Sequence, residues 1–548
     1  MRIGGAGSVT YAPAPISVPD RHRTARTARP ARPARPAQSG SYPGDGRYAD
    51  SVEHESQAEI AQTAEGPVRG IRRPDGSLAF LGIPYAAPPT GGRRFQPPQP
   101  VTPWTEPLDA TQYGPTPQRR EEPNAIIPEP SIPGAATLNL NVFTPALRQA
   151  QEPVEQDQGP GGEGLPVLVW IHGGGYSSGS SASPWYDGRA FVRDGIVVVA
   201  ISYRLGFDGF GVIAGAPDNR GVRDWLAALE WVQRNMSVFG GDPSRVTIAG
   251  QSAGGGAVLT MLGMPEAQHL FRSAISISGA LGDLPRDRAR RRSERLASMV
   301  GCQPTLAGFR GVKERELTRR QYEASLLGKT GLAATTATLT DGLPWGPVID
   351  GELLTRPTVD SYAAGVGADK PLLLGATDDE FTMVFDRAPR ILRWVPVPLA
   401  LLIVEKTHAL RRGWRRANRA RRGAGAALGR FVTDRVFRSL VVRIAETRRD
   451  ARTWTYRFAW ASPTNGWSYH CLDVPFWFDC LDDPHVARIA GRRPPQHLAD
   501  EMHAAAVAFI RDGDPGWPAW RTDPGITRVF GDRPALSRSA YDDALPLV

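Results

Sequence analysis

Three observations predict an α/β architecture with a mostly parallel central sheet flanked by helices. The runs LPVLVWI (165–171), GIVVVAISY (195–203), RVTIAG (245–250), SAISIS (273–278) and KPLLLG (370–375) are almost continuously apolar, as in strands buried on both faces. Between them, NRGVRDWLAALEWVQRNM (219–236) spaces its apolar residues with a helical period. Strand and helix patterns alternate, and no repeat of about 20–50 residues is present, which argues against a solenoid or propeller.

Residues 1–58 are rich in Pro, Arg, Ala, Gly and Ser and contain the near-repeat TARPARPARPA. Such a composition buries too little apolar surface to offset its ordering entropy, so a disordered tail is expected there and one domain over 59–548. QEPVEQDQGPGGEG (151–164) reads as a surface insertion between two strands. The chain has 548 residues, 41% of them hydrophobic, enough for a large core.

The formal charge of +9 is concentrated. Residues 1–49 carry a net +6 and RRGWRRANRARR (411–422) contributes seven Arg, leaving the remainder at −4. That distribution argues against a nucleic-acid-binding body. Cys302, Cys471 and Cys480 are too few for a disulfide framework and lack zinc-site spacing, so a reducing, cytoplasmic setting is expected. The N-terminus has no apolar run of signal-peptide length. The longest apolar stretch, WVPVPLALLIV (394–404), falls short of the ~20 residues that cross a bilayer, so no transmembrane segment is expected.

The chemistry begins at VTIAGQSAGGGAVLTMLG (246–263). A strand runs into Gly250-Gln251-Ser252-Ala253-Gly254 and then a helix-like stretch. This is a G-x-S-x-G pattern in the strand–turn–helix setting of a nucleophile elbow. Ser252 is placed at a helix start, where free N–H groups favour developing negative charge. The alternative is a flexible glycine loop. Upstream, a strand enters His172-Gly173-Gly174-Gly175-Tyr176, presenting backbone N–H groups without obstructing side chains. With the N–H of Ala253, Gly174 and Gly175 match an HGGG-type oxyanion hole. A phosphate-binding loop is disfavoured, since no Lys follows and the G-x-G-x-x-G spacing is absent.

With these residues in view, the chain resembles the carboxylesterase type B family of α/β-hydrolases over roughly 64–535, in the manner of bacterial para-nitrobenzyl esterases. The resemblance rests on several ordered blocks: GPVRGIRRPDGSLAFLGIPYAAPPTGGRRFQPPQPVTPW (66–104), YRLGFDGFG (203–211), FGGDPSRVTIAGQSAGG (239–255), GPVIDGELLTRP (346–357), YRFAWASP (456–463) and FIRDGDPGWPAW (509–520). It implies the α/β-hydrolase fold with helical insertions over the active-site gorge, and a serine carboxylesterase working through an acyl-enzyme without metal or cofactor. The family's acid follows a buried strand in a D-E-G segment; PLLLGATDDEFTMVF (371–385) then assigns it to Glu380, with Asp378 and Asp379 as competitors and Phe381 at the usual Gly. The family's base falls in GWSYHCLDVPFWFDCLDDP (466–484), at His470. His22, His54, His172, His269, His408, His485, His497 and His503 stand in no such block.

The chain also departs from the family. Gln251 precedes the serine where Glu is usual, and Thr137 replaces the Cys of a disulfide common in secreted members. PQRREEPNAIIPEPSIPG (117–134) has no Trp, which argues against a choline ester. Tyr176, Trp225 and Phe381 are expected to line an apolar pocket for a small or medium uncharged ester. Three other readings remain open: a catalytically inactive binding module on the same fold, a carbamate or amide hydrolase using the same triad, and contact of 394–422 with an anionic membrane surface. The oligomeric state is open too.

Overall fold

The computed structural model of the chain describes residues 59–117, 125–148, 164–330, 342–382, 395–402, 404, 405, 407–419 and 423–548. The expected tail (1–58) and nearly all of the insertion (151–163) lie outside them, as do 118–124, 383–394, 403, 406 and 420–422, which include parts of the segments singled out above.

In chain order the strands are β1 (Glu59–Thr63), β2 (Gly66–Arg72), β3 (Leu78–Pro84), β4 (Leu108–Asp109), β5 (Asn139–Thr144), β6 (Leu165–Ile171), β7 (Val197–Ile201), β8 (Gly241–Gln251), β9 (Ser273–Ile277), β10 (Leu284–Pro285), β11 (Val348–Ile349), β12 (Leu372–Thr377), β13 (Thr453–Phe458), β14 (Thr527–Phe530) and β15 (Ala535–Ser537). The main sheet has the order β1-β2-β3-β5-β7-β6-β8-β9-β12-β13-β14-β15, with β4 beside β2, while β10 and β11 pair separately. From β7 to β14 every pairing is parallel. Along this order both edges are antiparallel, and β4 pairs with β2 in parallel. All five apolar runs form the parallel centre.

Alternation of side chains across the pleat, with both faces covered, explains why those runs are apolar at nearly every position. Val167, Val169 and Ile171 of β6 enter one core, with Val197, Val199 and Ile201 of β7. Leu168, Trp170, Val198 and Ala200 enter the other. The helix Arg220–Asn235 covers the first face with Val222, Trp225, Leu229 and Val232, and the helix Gln496–Asp512 covers the second with Leu498, Met502 and Phe509. Each fully buried large aliphatic or aromatic side chain contributes about 1.5–3 kcal/mol. Arg204, after β7, makes a bidentate pair with Asp224 of the first helix at 2.6 and 2.8 Å, which pins the helix to the sheet edge. Among the described residues no helix is long and apolar enough to cross a membrane.

Parallel register brings the C-terminal ends of β6, β8 and β9 to one edge: Ile171 lies opposite Gly250, and Gln251 opposite Ile277. At that edge the helix Ala253–Leu262 turns back so tightly that a Cβ on Gly254 would lie 2.0 Å from the Ile171 carbonyl oxygen. Gly92, by contrast, faces open space. Gly254→Ala should therefore lower the unfolding free energy by ~2–3 kcal/mol, through overpacking against backbone that cannot yield. Gly92→Ala should leave it within about 0.5 kcal/mol. Urea denaturation of both variants checks this.

Candidate active site

Ser252 stands between β8 and the helix Ala253–Leu262 at φ 58°, ψ −122°, a conformation that costs a non-glycine residue about 1–3 kcal/mol and persists only where surroundings hold it. Here they do. Its N–H donates to Ile277 O at 2.9 Å, and its carbonyl accepts from Gly256 at 2.9 Å and Ala280 at 3.0 Å. The turn leaves Oγ partly exposed above the sheet edge.

His470 and Glu380 arrive from loops beyond β13 and β12. The Ser252 hydroxyl donates to His470 Nε2 at 2.8 Å, and His470 Nδ1–H donates to Glu380 Oε2 at 2.5 Å. The other carboxylate oxygen of Glu380 accepts from the Thr377 N–H at 2.9 Å, and the His470 N–H donates to the Glu380 carbonyl at 3.0 Å. Glu380 is wholly buried and His470 nearly so. Burial disfavours a charged imidazole, but Cys471 and Glu380, each by charge and hydrogen bond, outweigh it and raise the His470 pKa well above 6.5. Burial and the nearby Glu380 charge push Asp473 up to about 7.

The competing carboxylates are engaged elsewhere. Asp378 takes a bidentate pair from Arg457 at 2.5 and 2.8 Å, and Asp379 lies 3.9 Å from Arg430. His172 is buried and neutral, its pKa pushed down to about 4 by desolvation. Its Nδ1 bonds Gly173 O at 2.8 Å and its ring stacks on Tyr203, so it braces the glycine turn.

That turn lies against the elbow: a Cβ on Gly173 would fall 3.1 Å from Ser252 Cβ. Gly174 adopts φ 106° and Gly175 φ 60°. Among the described residues, the N–H groups of Gly174, Gly175 and Ala253 are donated to nothing. Three unclaimed donors beside one hydroxyl form an arrangement suited to an oxyanion.

The expected pocket residues divide. Phe381 stacks on the His470 imidazole, centroids 5.2 Å apart and planes at 26°. Tyr176 and Trp225, expected beside it, are instead core residues with no exposed surface, packed on Phe210 and on each other. Trp225 belongs to the buried stripe of its helix, and Tyr176 is enclosed by Gly256 and Gly346. Two contacts were not foreseen. Phe437, on a π-helical turn Asp434–Arg438, lies 5.2 Å from the imidazole, and Leu343 Cδ2 comes within 4.0 Å of a Cβ on Gly175. Such π-turns often mark functional positions, but nothing in the sequence around Phe437 announces one. Gln251, buried, brings its amide nitrogen to 3.2 Å from His470 Nε2.

The carboxylesterase family profile matches residues 57–393. The chain belongs to the carboxylesterase family. It is 30% identical over 492 residues to a para-nitrobenzyl esterase of Bacillus subtilis (strain 168), covering 86% of this chain and 94% of the relative. A phenmedipham hydrolase of Pseudarthrobacter oxydans is 31% identical over 515 residues, covering 87% and 96%. Among solved structures, a Geobacillus stearothermophilus carboxylesterase is 31% identical with a TM-score of 0.73, covering 88% of this chain and 99% of that one. A PNB esterase structure is 28% identical with a TM-score of 0.76, covering 90% and 99%. The fold is that of the α/β-hydrolase carboxylesterases, and the protein is a carboxylic ester hydrolase.

The contacts to His470 set its titration. Glu380→Gln removes the carboxylate that favours the charged imidazole and should lower its pKa by at least about one unit. Gln251→Glu places a carboxylate beside Nε2 and should raise it by a similar amount. Histidine-selective NMR titration of the two variants measures both shifts.

Proposed function

We propose that the protein hydrolyses small to medium uncharged carboxylic esters through a Ser252–His470–Glu380 triad. The observation that carries this reading is the continuous chain from Ser252 Oγ to Nε2 at 2.8 Å and from Nδ1 to Glu380 at 2.5 Å, beside three unclaimed backbone donors. As Ser252 Oγ attacks the ester carbon, His470 Nε2 takes its proton and Glu380 stabilises the imidazolium. The carbonyl electron pair moves onto oxygen, which accepts from the N–H groups of Gly174, Gly175 and Ala253. Collapse breaks the bond to the alcohol oxygen, which receives the proton from His470. Water, deprotonated by His470, then attacks the acyl carbon; the bond to Ser252 Oγ breaks, Oγ takes the proton back from His470, and the acid is released.

The aromatic rings of Phe381 and Phe437 and the side chain of Leu343 support an apolar acyl site, favouring uncharged substrates. One unit over 59–548 carries the site, and three free cysteines suit a reducing, cytoplasmic compartment. Carbamates share the electrophilic carbonyl, and the similarity to a phenmedipham hydrolase makes them a second substrate class for the same triad.

Two measurements test this. With p-nitrophenyl acetate, butyrate and decanoate, Ser252→Ala should lower kcat by about a millionfold. Because His470 acts as a base only when neutral and its pKa is raised, kcat/KM should fall as pH drops through a one-proton limb lying above 6.5. Esterase activity surviving in Ser252→Ala would overturn the triad.

A further inference from the structure

One corner of the molecule is unlike the rest of its surface. The helices Val397–Leu401 and Ala424–Thr433 pack together with Trp414 and Leu547 in a satellite core of their own, apart from the two sheet cores. The helix His408–Ala417 lies across it and against the turn Leu545–Leu547, where a Cβ on Gly413 would meet Pro546 at 3.4 Å. Trp414 and Asn418 fix that helix from below: Trp414 Nε1–H donates to Asp434 at 2.7 Å, and Asn418 Nδ2–H to Asp543 O at 2.9 Å.

What the helix turns outward is basic. Arg412, Arg415 and Arg416 sit at i, i+3 and i+4 of the helix and therefore share a face, and Arg419 follows just past the helix end. All four are exposed. Among the described residues, none of the four makes an ion pair or hydrogen bond through its side chain. This differs from the arginines of other surface helices, such as Arg290 and Arg319, which pair with Glu294 and Glu316. Leaving four guanidinium groups together without a counter-charge is electrostatically unfavourable unless an external anion supplies one.

The same corner is apolar at its surface. Seven large apolar side chains are exposed among the described residues, and four of them, Leu399, Leu402, Leu545 and Val548, belong to this satellite and its C-terminal turn, each at least 45% exposed. All four are aliphatic, so they offer nothing for bases to stack on, which disfavours single-stranded nucleic acid. Aliphatic side chains beside a basic helix face match the chemistry of an anionic lipid surface: guanidinium groups meet phosphate and carboxylate headgroups while leucines enter the acyl boundary.

We propose that the face formed by Arg412, Arg415, Arg416 and Arg419 with Leu399 and Leu402 docks this esterase on anionic membrane surfaces. The attachment is peripheral and reversible. It places the enzyme where uncharged esters accumulate by partition, and it does not depend on the triad assignment.

The test is co-sedimentation of the full chain with phosphatidylcholine vesicles prepared with and without phosphatidylserine. Binding is expected only with phosphatidylserine, and it should weaken steeply as salt rises. Each arginine near such a surface contributes about fivefold, so R412Q/R415Q/R416Q/R419Q should lose binding by several hundredfold. L399S/L402S should weaken binding at every salt concentration. Both variants should hydrolyse p-nitrophenyl butyrate in vesicle-free solution at the unaltered rate, which shows that they remain folded. No binding by the unaltered protein, undiminished binding by the arginine variant, or preference for duplex DNA over the vesicles would each overturn the proposal.

Discussion

The whole arrangement depends on one close approach, between the end of β8 and the helix that leaves it. The helix backbone comes so near Ile171 and Ala280 that only hydrogen atoms fit at Gly254 and Gly256, where a Cβ would meet carbonyl oxygens at 2.0 Å. That approach forces Ser252 into its rare conformation and lifts the hydroxyl out of the sheet. It also sets the Ala253 N–H beside the glycine turn after β6. Strain at one residue is held by three backbone hydrogen bonds and by burial of the helix on every side.

His470 and Glu380 are delivered from the other half of the sheet, and their loops are tied together before they meet Ser252. Asp379 N–H bonds Ser468 O, and His470 N–H bonds Glu380 O. Behind them lies a buried charge network. Arg438 pairs with Asp434 at 2.7 Å and with Asp543 at 2.9 Å, Arg430 pairs with Asp434 and Asp543, and Arg457 holds Asp378. Buried charges without partners would be costly. Paired as they are, they fasten the Glu380 loop to the C-terminal residues and leave one Glu380 oxygen to face the imidazole. The orientation of His470 is thus set far along the chain from Ser252.

Much of this is legible in the sequence because the physics is local. Five nearly continuous apolar runs announced strands covered on both faces, and all became the parallel centre. The glycines around Ser252 announced the elbow because backbone proximity leaves no other residue possible. The antiparallel edge strands β1 and β2 were not foreseen, since their mixed buried and exposed sequences carry less contrast. Trp225 was read toward the pocket for its aromatic character, yet its place in the helical period already assigned it to the core. Phe437 could not be read at all: it reaches the imidazole through a π-turn and a tertiary approach, neither encoded in neighbouring residues. Gln251 was visible as a substitution, but its 3.2 Å contact with His470 is a product of folding.

The central claim is that Ser252 is the residue that becomes acylated. Treating the protein with diethyl p-nitrophenyl phosphate and mapping the adduct by peptide mass spectrometry tests it directly. The account predicts a single phosphoryl group on Ser252, formed in step with the loss of esterase activity and not formed in His470→Ala. An adduct on another residue, or full inactivation with Ser252 unmodified, would contradict it.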